Sequence, residues 1–492
     1  MRNAVQLIAY ADRFGGSLAG LHEVLDDHLA GAFEGVHVLP FFTPFDGADA
    51  GFDPDDHTRV DPRLGTWDDV AALGADRDTV VDVIVNHVSS RSPQVRDWLA
   101  QGDGSPHAGM FLTLGAVFPD GATEDDLARI YRPRPGLPFT PVTVAGRRRF
   151  VWTTFTSEQI DIDVESEPGR AYLASVLDAL ASAGVGMVRL DAVGYAVKTP
   201  GTSCFMTPET FAFIDDLTAQ ARARGMAVLV EVHSHYAKQV EIGARVDRVY
   251  DFALPPLVLH ALYTGDCEPL GRWLAVRPAN AVTVLDTHDG IGVVDVARDG
   301  DEPGLLDDAQ VDALVEGIHE RTGGQSRQAT GAAASNLDLY QVNATYYSAL
   351  GCDDGAYLIA RAIQFFTPGI PQVYYVGALA GTDDMDLLAR TGVGRDINRH
   401  HYTREEIAEH VRRPVVAALL ALAGFRNTHP AFGGEVAVDA GPHTLALTWQ
   451  DGVERATLEV DAQARTAVVR WTEQGRERTT HDLLTDPPVL GA

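Results

Sequence analysis

Basic residues are scarce in this chain: 39 Lys and Arg stand against 69 Asp and Glu, a formal net charge of −30. So acidic a surface repels nucleic acid and anionic membranes, and neither is an expected partner. An anionic substrate would have to be drawn in by a local group of arginines. Cysteine is almost missing too. Cys204, Cys267 and Cys352 are too few and too scattered for a disulfide framework or a zinc site. No apolar run approaches the ~18 residues that span a bilayer. The opening stretch, Met1 to Tyr10, lacks the apolar segment and cleavage site of a secretory signal, which makes the cytoplasm the expected location. The chain also lacks a phosphate-binding P-loop, a dinucleotide glycine fingerprint, an i, i+4 histidine pair and a CxxC motif. There is no internal repeat and no low-complexity tract.

What is present is an ordinary globular composition, 45% hydrophobic and 22% charged over 492 residues, with length for roughly three domains. Short apolar runs alternate with helical stretches. The strand candidates are Val5–Ala9, Val36–Leu39, Thr79–Val85, Val185–Leu190, Ala227–Val232, Arg248–Phe252, Ala281–Leu285 and Gln372–Val376. Eight such strands with intervening helices predict an α/β protein, a closed (β/α)₈ barrel. Before the fourth strand, Leu173, Val176, Leu177 and Leu180 recur at helical spacing, with Pro168 near the start and Gly184 beyond the end. Before the fifth, Thr207-Pro208 opens a helix striped by Phe211, Ile214 and Leu217.

Two connections are too long to be plain loops, and each is expected to carry structure of its own. The barrel is expected over 1–88, 167–291 and 355–429, interrupted by an inserted domain at 89–166 and an inserted segment at 292–354. From 430 to 492 the pattern changes to alternating strands, Thr444–Trp449, Ala456–Val460 and Thr466–Trp471, with a hairpin signal at Asp451-Gly452. That predicts a separate antiparallel β domain.

Chemistry concentrates at the carboxyl ends of the strands, where barrel enzymes place their sites. The third ends Asp82-Val-Ile-Val-Asn86-His87, the fourth Arg189-Leu-Asp191, the fifth Glu231-Val-His233 and the seventh Asp286-Thr-His288-Asp289. Period-two alternation puts Arg189 and Asp191 on one face of the fourth strand. Asp191, Glu231 and Asp289 would converge on the barrel mouth. Three buried acids are hard to explain as folding chemistry, because each costs several kcal/mol in desolvation. Repelling carboxylates separate their proton affinities, leaving one protonated while another is ionised. Glycoside bond cleavage needs that division. Asp82 and Asp286, on the same strands, are expected to orient neighbouring groups.

These four segments resemble the four signature regions of the α-amylase superfamily of glycoside hydrolases and transglycosylases, in order along the barrel. One departure is Met187, which holds a place usually taken by glycine. Further loop segments, Gly47–Pro54, Tyr131–Phe139, Gly201–Met206, Ala334–Asn343 and Gly394–His400, are similar to those of the branch that cleaves sucrose with inorganic phosphate. The resemblance implies release of fructose and formation of α-D-glucose 1-phosphate by a retaining double displacement. It implies Asp191 as nucleophile, Glu231 as acid and base, and Asp289 as transition-state stabiliser. Asp49, His87, Arg189, His288 and Arg395 would hold the glucosyl ring between Phe52 and Phe155. Tyr131, Arg134, Tyr195, His233, Leu337, Asp338, Tyr340 and Gln341 would line the acceptor side, with Arg134 serving phosphate and Asp338 serving fructose. No metal or cofactor is implied, and such relatives pair as homodimers. The alternatives are a sibling phosphorylase for sucrose 6′-phosphate, glucosylglycerol or glucosylglycerate, a sucrose hydrolase or transglucosidase, and a non-catalytic binding member.

Overall fold

A computed structural model of the chain describes residues 1–330 and 341–490. Eight parallel strands close a barrel: β1 (Gln6–Ala9), β2 (Gly35–Val38), β3 (Asp78–Ile84), β4 (Met187–Asp191), β5 (Ala227–Val230), β6 (Arg248–Asp251), β7 (Ala281–Thr283) and β8 (Ile370–Tyr374). Their order around the barrel is the order of the chain. Every residue of β1, β2, β7 and β8 is buried. This is why the strands read as mainly apolar runs without the regular polar alternation of a half-exposed strand.

The strand limits differ from expectation in ways that matter for the chemistry. β4 runs one residue further than expected, so Asp191 is itself the last strand residue. β5 stops at Val230, leaving Glu231 as the first residue beyond it. β8 begins two residues early and contains Pro371, which reads in sequence as punctuation. Near the start of a strand a proline forfeits only one ladder donor. The expected end of that strand, Tyr375 and Val376, instead opens a short helix.

The helix preceding β4, α1 (Glu167–Ser182), starts where the Ser166 hydroxyl accepts from the Gly169 N–H, and buries Leu173, Val176, Leu177 and Leu180. The helix preceding β5, α2 (Pro208–Ala223), is capped in the same way by Thr207 on the Thr210 N–H. Gly184 and Gly225 end them in the left-handed region, at φ +74° and +82°.

The chain divides into two compact units, one of Met1–His37, His233–Ala244 and Arg248–Ala492, the other of Val38–Val232 with Arg245–Asp247. Within the second unit the segment after β3 has a small core of its own. Trp152, on the hairpin of Phe139–Val144 and Arg147–Trp152, packs with Leu112, Val117, Phe118 and Cys204. The Cys204 thiol thus serves as a buried apolar group.

Within the first unit the C-terminal region is a five-stranded antiparallel sheet, Glu435–Ala440, Thr444–Asp451, Glu454–Asp461, Thr466–Glu473 and Arg476–Thr480. Leu445, Leu447 and Trp449 alternate onto its buried face, and the Trp449 indole donates to the Phe366 carbonyl at 2.7 Å. The two outer strands escape sequence-based prediction because they are largely exposed and show no apolar alternation. Among the described residues, no helix is long and apolar enough to cross a membrane.

Gly369, which leads into β8, sits at φ +128°, and a Cβ there would lie 2.2 Å from the Ala281 carbonyl oxygen on β7. Gly369→Ala should therefore destabilise the protein by about 2–4 kcal/mol through strain and overpacking. A lowered denaturant midpoint measures this.

Candidate active site

Arg189 and Asp82 face each other directly in the parallel register of β4 and β3. Their side chains share a face, and the guanidinium bonds Asp82 and, at 2.7 Å, Asp191 two residues along its own strand. Asp82 is fully buried and Arg189 is 2% exposed. One buried cation therefore answers two carboxylates, which makes the double charge of Asp82 and Asp191 tolerable inside the barrel. The Phe52 ring lies 5.7 Å from the guanidinium carbon.

Beyond Asp191 the chain turns sharply. Ala192 has φ 53°, a left-handed conformation uncommon for a residue with a side chain. That twist presents the Ala192 N–H to Glu231 Oε2 at 3.3 Å, so the two strand-end acids are linked through the backbone between them. A single 3₁₀ turn, Val193–Tyr195, comes next. Gly194 admits no side chain, since a Cβ would meet the Phe205 ring at 2.8 Å. Tyr195 is thereby delivered into an aromatic group: it stacks on Tyr131 with centroids 6.1 Å apart, lies edge-on to Phe155 at 5.3 Å and touches Phe205 at 4.7 Å.

His87 lies just beyond β3 and joins the same group, its ring 5.4 Å from that of Phe155. Burial pushes its imidazole below the ordinary histidine range, so the ring is neutral. The Phe52 carbonyl and Gln159 Nε2 each lie 3.0 Å from His87 Nε2. Asp49 sits in the loop after β2, where its N–H donates to Asp53 Oδ1 at 3.1 Å and its own carboxylate accepts from Gln159 at 3.1 Å. Burial, with the charge of Asp49 adding to it, pushes Asp53 up to about 6 despite these backbone donors. The segment carrying Tyr131 and the half-buried Arg134 is tied down by Arg132, which donates to the carbonyls of Thr154 at 2.8 Å and Phe155 at 3.1 Å.

In the other compact unit, Asp289 forms a 2.7 Å ion pair with Arg395 and lies 3.7 Å from His288 Nε2. Burial opposes its charge, but Arg395, His288, His233 and Arg399 together hold the carboxyl well below the usual range. The His288 carbonyl accepts from Arg399 Nε at 3.0 Å, and Gln341 Oε1 accepts from the Gly290 N–H at 3.0 Å, which fixes the loop on either side of Asp289. His233 Nδ1 is 3.0 Å from Asp295. Asp286 turns away to Arg361, at 2.6 Å. Leu337, Asp338 and Tyr340 lie outside the described residues.

The expected residues thus fall into two groups. Asp49, Phe52, His87, Tyr131, Phe155, Arg189, Asp191, Tyr195 and Glu231 are joined by these contacts, with Arg134 on the Tyr131 loop. His233, His288, Asp289, Gln341 and Arg395 form the second. Sequence reasoning passes over Gln159, Phe205, Arg132, Asp295 and Lys198. The last is a buried ammonium 2.8 Å from both Asp161 Oδ2 and the side-chain Oδ1 of Asn86, pinning the end of β3 to the inserted segment. None of these five stands at the end of a barrel strand, and none belongs to a periodic pattern. Phe205 and Arg132 do lie in loop segments, Gly201–Met206 and Tyr131–Phe139, that carry the family resemblance.

Removing the shared cation tests the first group. Arg189→Met should cost about 3–5 kcal/mol by removing the buried cation that Asp82 and Asp191 share. The double variant Asp82→Asn, Arg189→Met should recover part of that loss in chemical denaturation.

No protein-family profile matches the chain. It is 59% identical over 465 residues to sucrose phosphorylase of Agrobacterium vitis, covering 94% of this chain and 95% of the relative. It is 56% identical over 503 residues to sucrose phosphorylase of Bifidobacterium adolescentis, covering the whole of both. Among solved structures, sucrose 6F-phosphate phosphorylase from Thermoanaerobacter thermosaccharolyticum matches with a TM-score of 0.90 at 40% identity, covering 98% of each chain. Full-length identity of this order, on the α-amylase type of barrel, makes the chain an enzyme belonging to the sucrose phosphorylase family.

Proposed function

We propose that this enzyme transfers the glucosyl unit of sucrose to inorganic phosphate, reversibly, giving α-D-glucose 1-phosphate and fructose. The observation that carries the reading is the placement of two acids: Asp191, the last residue of β4, is held by a buried guanidinium at 2.7 Å, and Glu231, the first residue beyond β5, is joined to it through the Ala192 N–H at 3.3 Å. A double displacement needs an ionised carboxylate as nucleophile and a second acid beside it to carry the proton.

In the first step an Asp191 oxygen attacks the anomeric carbon as the bond to fructose breaks, and Glu231 gives its proton to the departing oxygen. The products are fructose and a β-glucosyl ester of Asp191. In the second step a phosphate oxygen attacks the same carbon, its proton returns to Glu231, and the Asp191 carboxylate is released. Two inversions amount to retention. Asp289, kept anionic, faces the positive charge that develops on the sugar. Asp49, His87, Arg189, His288 and Arg395 bind the glucosyl hydroxyls between Phe52 and Phe155. Tyr131, Arg134, Tyr195, His233, Leu337, Asp338, Tyr340 and Gln341 receive the acceptor.

Phosphate is a dianion and needs a cation near these acids. Arg134 supplies it by charge-assisted hydrogen bonds, with Asp338 as the counterpart for fructose hydroxyls. Greater identity to the two sucrose phosphorylases than to the sucrose 6F-phosphate enzyme supports unphosphorylated sucrose as donor. The net charge of −30 disfavours nucleic acid and anionic membranes as partners. The family resemblance alone is the basis for reading the enzyme as a homodimer.

Incubation with sucrose and phosphate should yield fructose and α-D-glucose 1-phosphate in equal amounts, and free glucose in place of the phosphate ester would refute the reading. Asp191→Ala should lower turnover by at least ~10⁴-fold, in line with removal of a nucleophile, with the melting curve still cooperative. Retained activity would take Asp191 out of the nucleophile role.

A further inference from the structure

Both oxygens of one buried carboxylate fasten the loop after β2. Ala48 donates its N–H to Asp53 Oδ2 at 2.9 Å, and Asp49 donates the next one to Oδ1 at 3.1 Å. Asp53 itself is 2% exposed. The loop closes around it: the Phe52 N–H donates to the Asp49 carbonyl at 3.0 Å, and Ala50 and Gly51 pass through the left-handed region at φ 48° and 89°. A Cβ at Gly47 would come within 2.3 Å of Asp53 Oδ1, so the carboxylate fills the space inside the turn. The same turn carries Asp49 and Phe52, and the Phe52 carbonyl lies 3.0 Å from His87 Nε2.

A buried carboxylate answered by neutral N–H groups sits close to losing its charge. Burial foremost, and the charge of Asp49, push Asp53 up to about 6 against the pull of the two N–H groups and of Arg91. The charged groups that act on it are Asp49 from its own loop and Arg91 from the segment after β3, which also lies 3.7 Å from Asp55. When the carboxyl takes up a proton, one of the two N–H groups meets a neutral hydroxyl in place of a charged acceptor. The hold on the main chain at Ala48 and Asp49 then slackens, and with it the placing of Asp49 and Phe52.

We propose that Asp53 is a positioning residue for the donor step: its carboxylate fastens the turn that presents Asp49 and Phe52 to the glucosyl unit. This rests on sucrose and phosphate being the substrates and on Asp49 and Phe52 meeting the glucosyl unit. That unit is taken from solution only when a donor binds, whether sucrose or, in reverse, glucose 1-phosphate. It is already bonded to Asp191 when phosphate arrives. The effect of Asp53 should therefore fall on both donors and spare phosphate.

Asp53→Asn keeps the shape and one acceptor oxygen, and it turns an amide toward the other N–H, matching the protonated form at every pH. At about pH 7.5, kcat/KM for sucrose and for glucose 1-phosphate should each fall ~10-fold, while that for phosphate stays within about twofold. Because kcat/KM follows groups of the free enzyme, the ratio of unsubstituted enzyme to variant for sucrose should shrink toward one as pH falls to about 5. An equal loss for phosphate, which a mere loss of stability or of active enzyme would give, overturns the proposal. So does a ratio that stays constant across this pH range. Should Asp53→Asn fail to fold, Gly47→Ala decides, since its Cβ crowds the same carboxylate: a loss confined to the donors is expected, and an equal loss or none overturns the proposal. Failure of the unsubstituted enzyme to form glucose 1-phosphate would instead reject the functional reading and this inference with it. Phosphorolysis with a normal kcat/KM for sucrose in Asp53→Asn would reject this inference alone.

Discussion

A guanidinium between two carboxylates, buried at the side-by-side ends of two parallel strands, is the constraint on which this site depends. Asp82, Arg189 and Asp191 cannot be buried separately, because each alone would carry an uncompensated charge. Together they can be, and the parallel register supplies the geometry: Arg189 lies opposite Asp82, and Asp191 comes two residues later on the same face. The strand thus delivers its acid already paired and oriented. The turn after Asp191 is shaped by the same need. The left-handed Ala192 brings a backbone N–H to Glu231, and the chain beyond it can only pass Phe205 with a glycine at position 194.

Two ways of managing buried charge recur in the molecule. Asp289 is kept ionised by several cations that outweigh its burial, Arg395 foremost. Asp53, with backbone donors but no adjacent cation among its hydrogen-bond partners, is pushed up to about 6. The contrast follows from the neighbours: Arg395 lies 2.7 Å from Asp289, while Asp53 accepts from the backbone N–H groups of Ala48 and Asp49. Lys198 and Arg132 show a third device, a cation that holds neighbouring segments in place through their oxygen atoms.

Much of the barrel was legible in the chain. Runs such as Leu7 to Ala9 or Val228 to Val230 are apolar on both faces, and only a strand covered on both sides needs that. The helices before β4 and β5 announced themselves by an opening proline and an apolar stripe. The acids and histidines at the strand ends were legible for the complementary reason, that charged residues interrupt an apolar run there. Legibility failed where burial does not impose a pattern. The strands Glu435–Ala440 and Arg476–Thr480 are held by ladder hydrogen bonds to a neighbour and are free to be polar. Pro371 hid the start of β8, because its cost depends on position in the strand and not on the residue alone.

The amino-acid sequence by itself determined most of the secondary structure of the barrel, its closing count of eight, and the identity of the acids at the ends of β4 and β5 and in the loop after β7. These arise from local rules: periodicity, capping, and the cost of leaving charge in an apolar run. Only the tertiary structure decided which partners those acids have. Arg189 reaches Asp82 across 107 positions and Asp49 meets Gln159 across 110, while His233 finds Asp295 across 62. Hydrogen bonds and ion pairs act over a few ångströms in space, and nothing in the spacing of residues along a chain records which distant side chain folding will bring within that range.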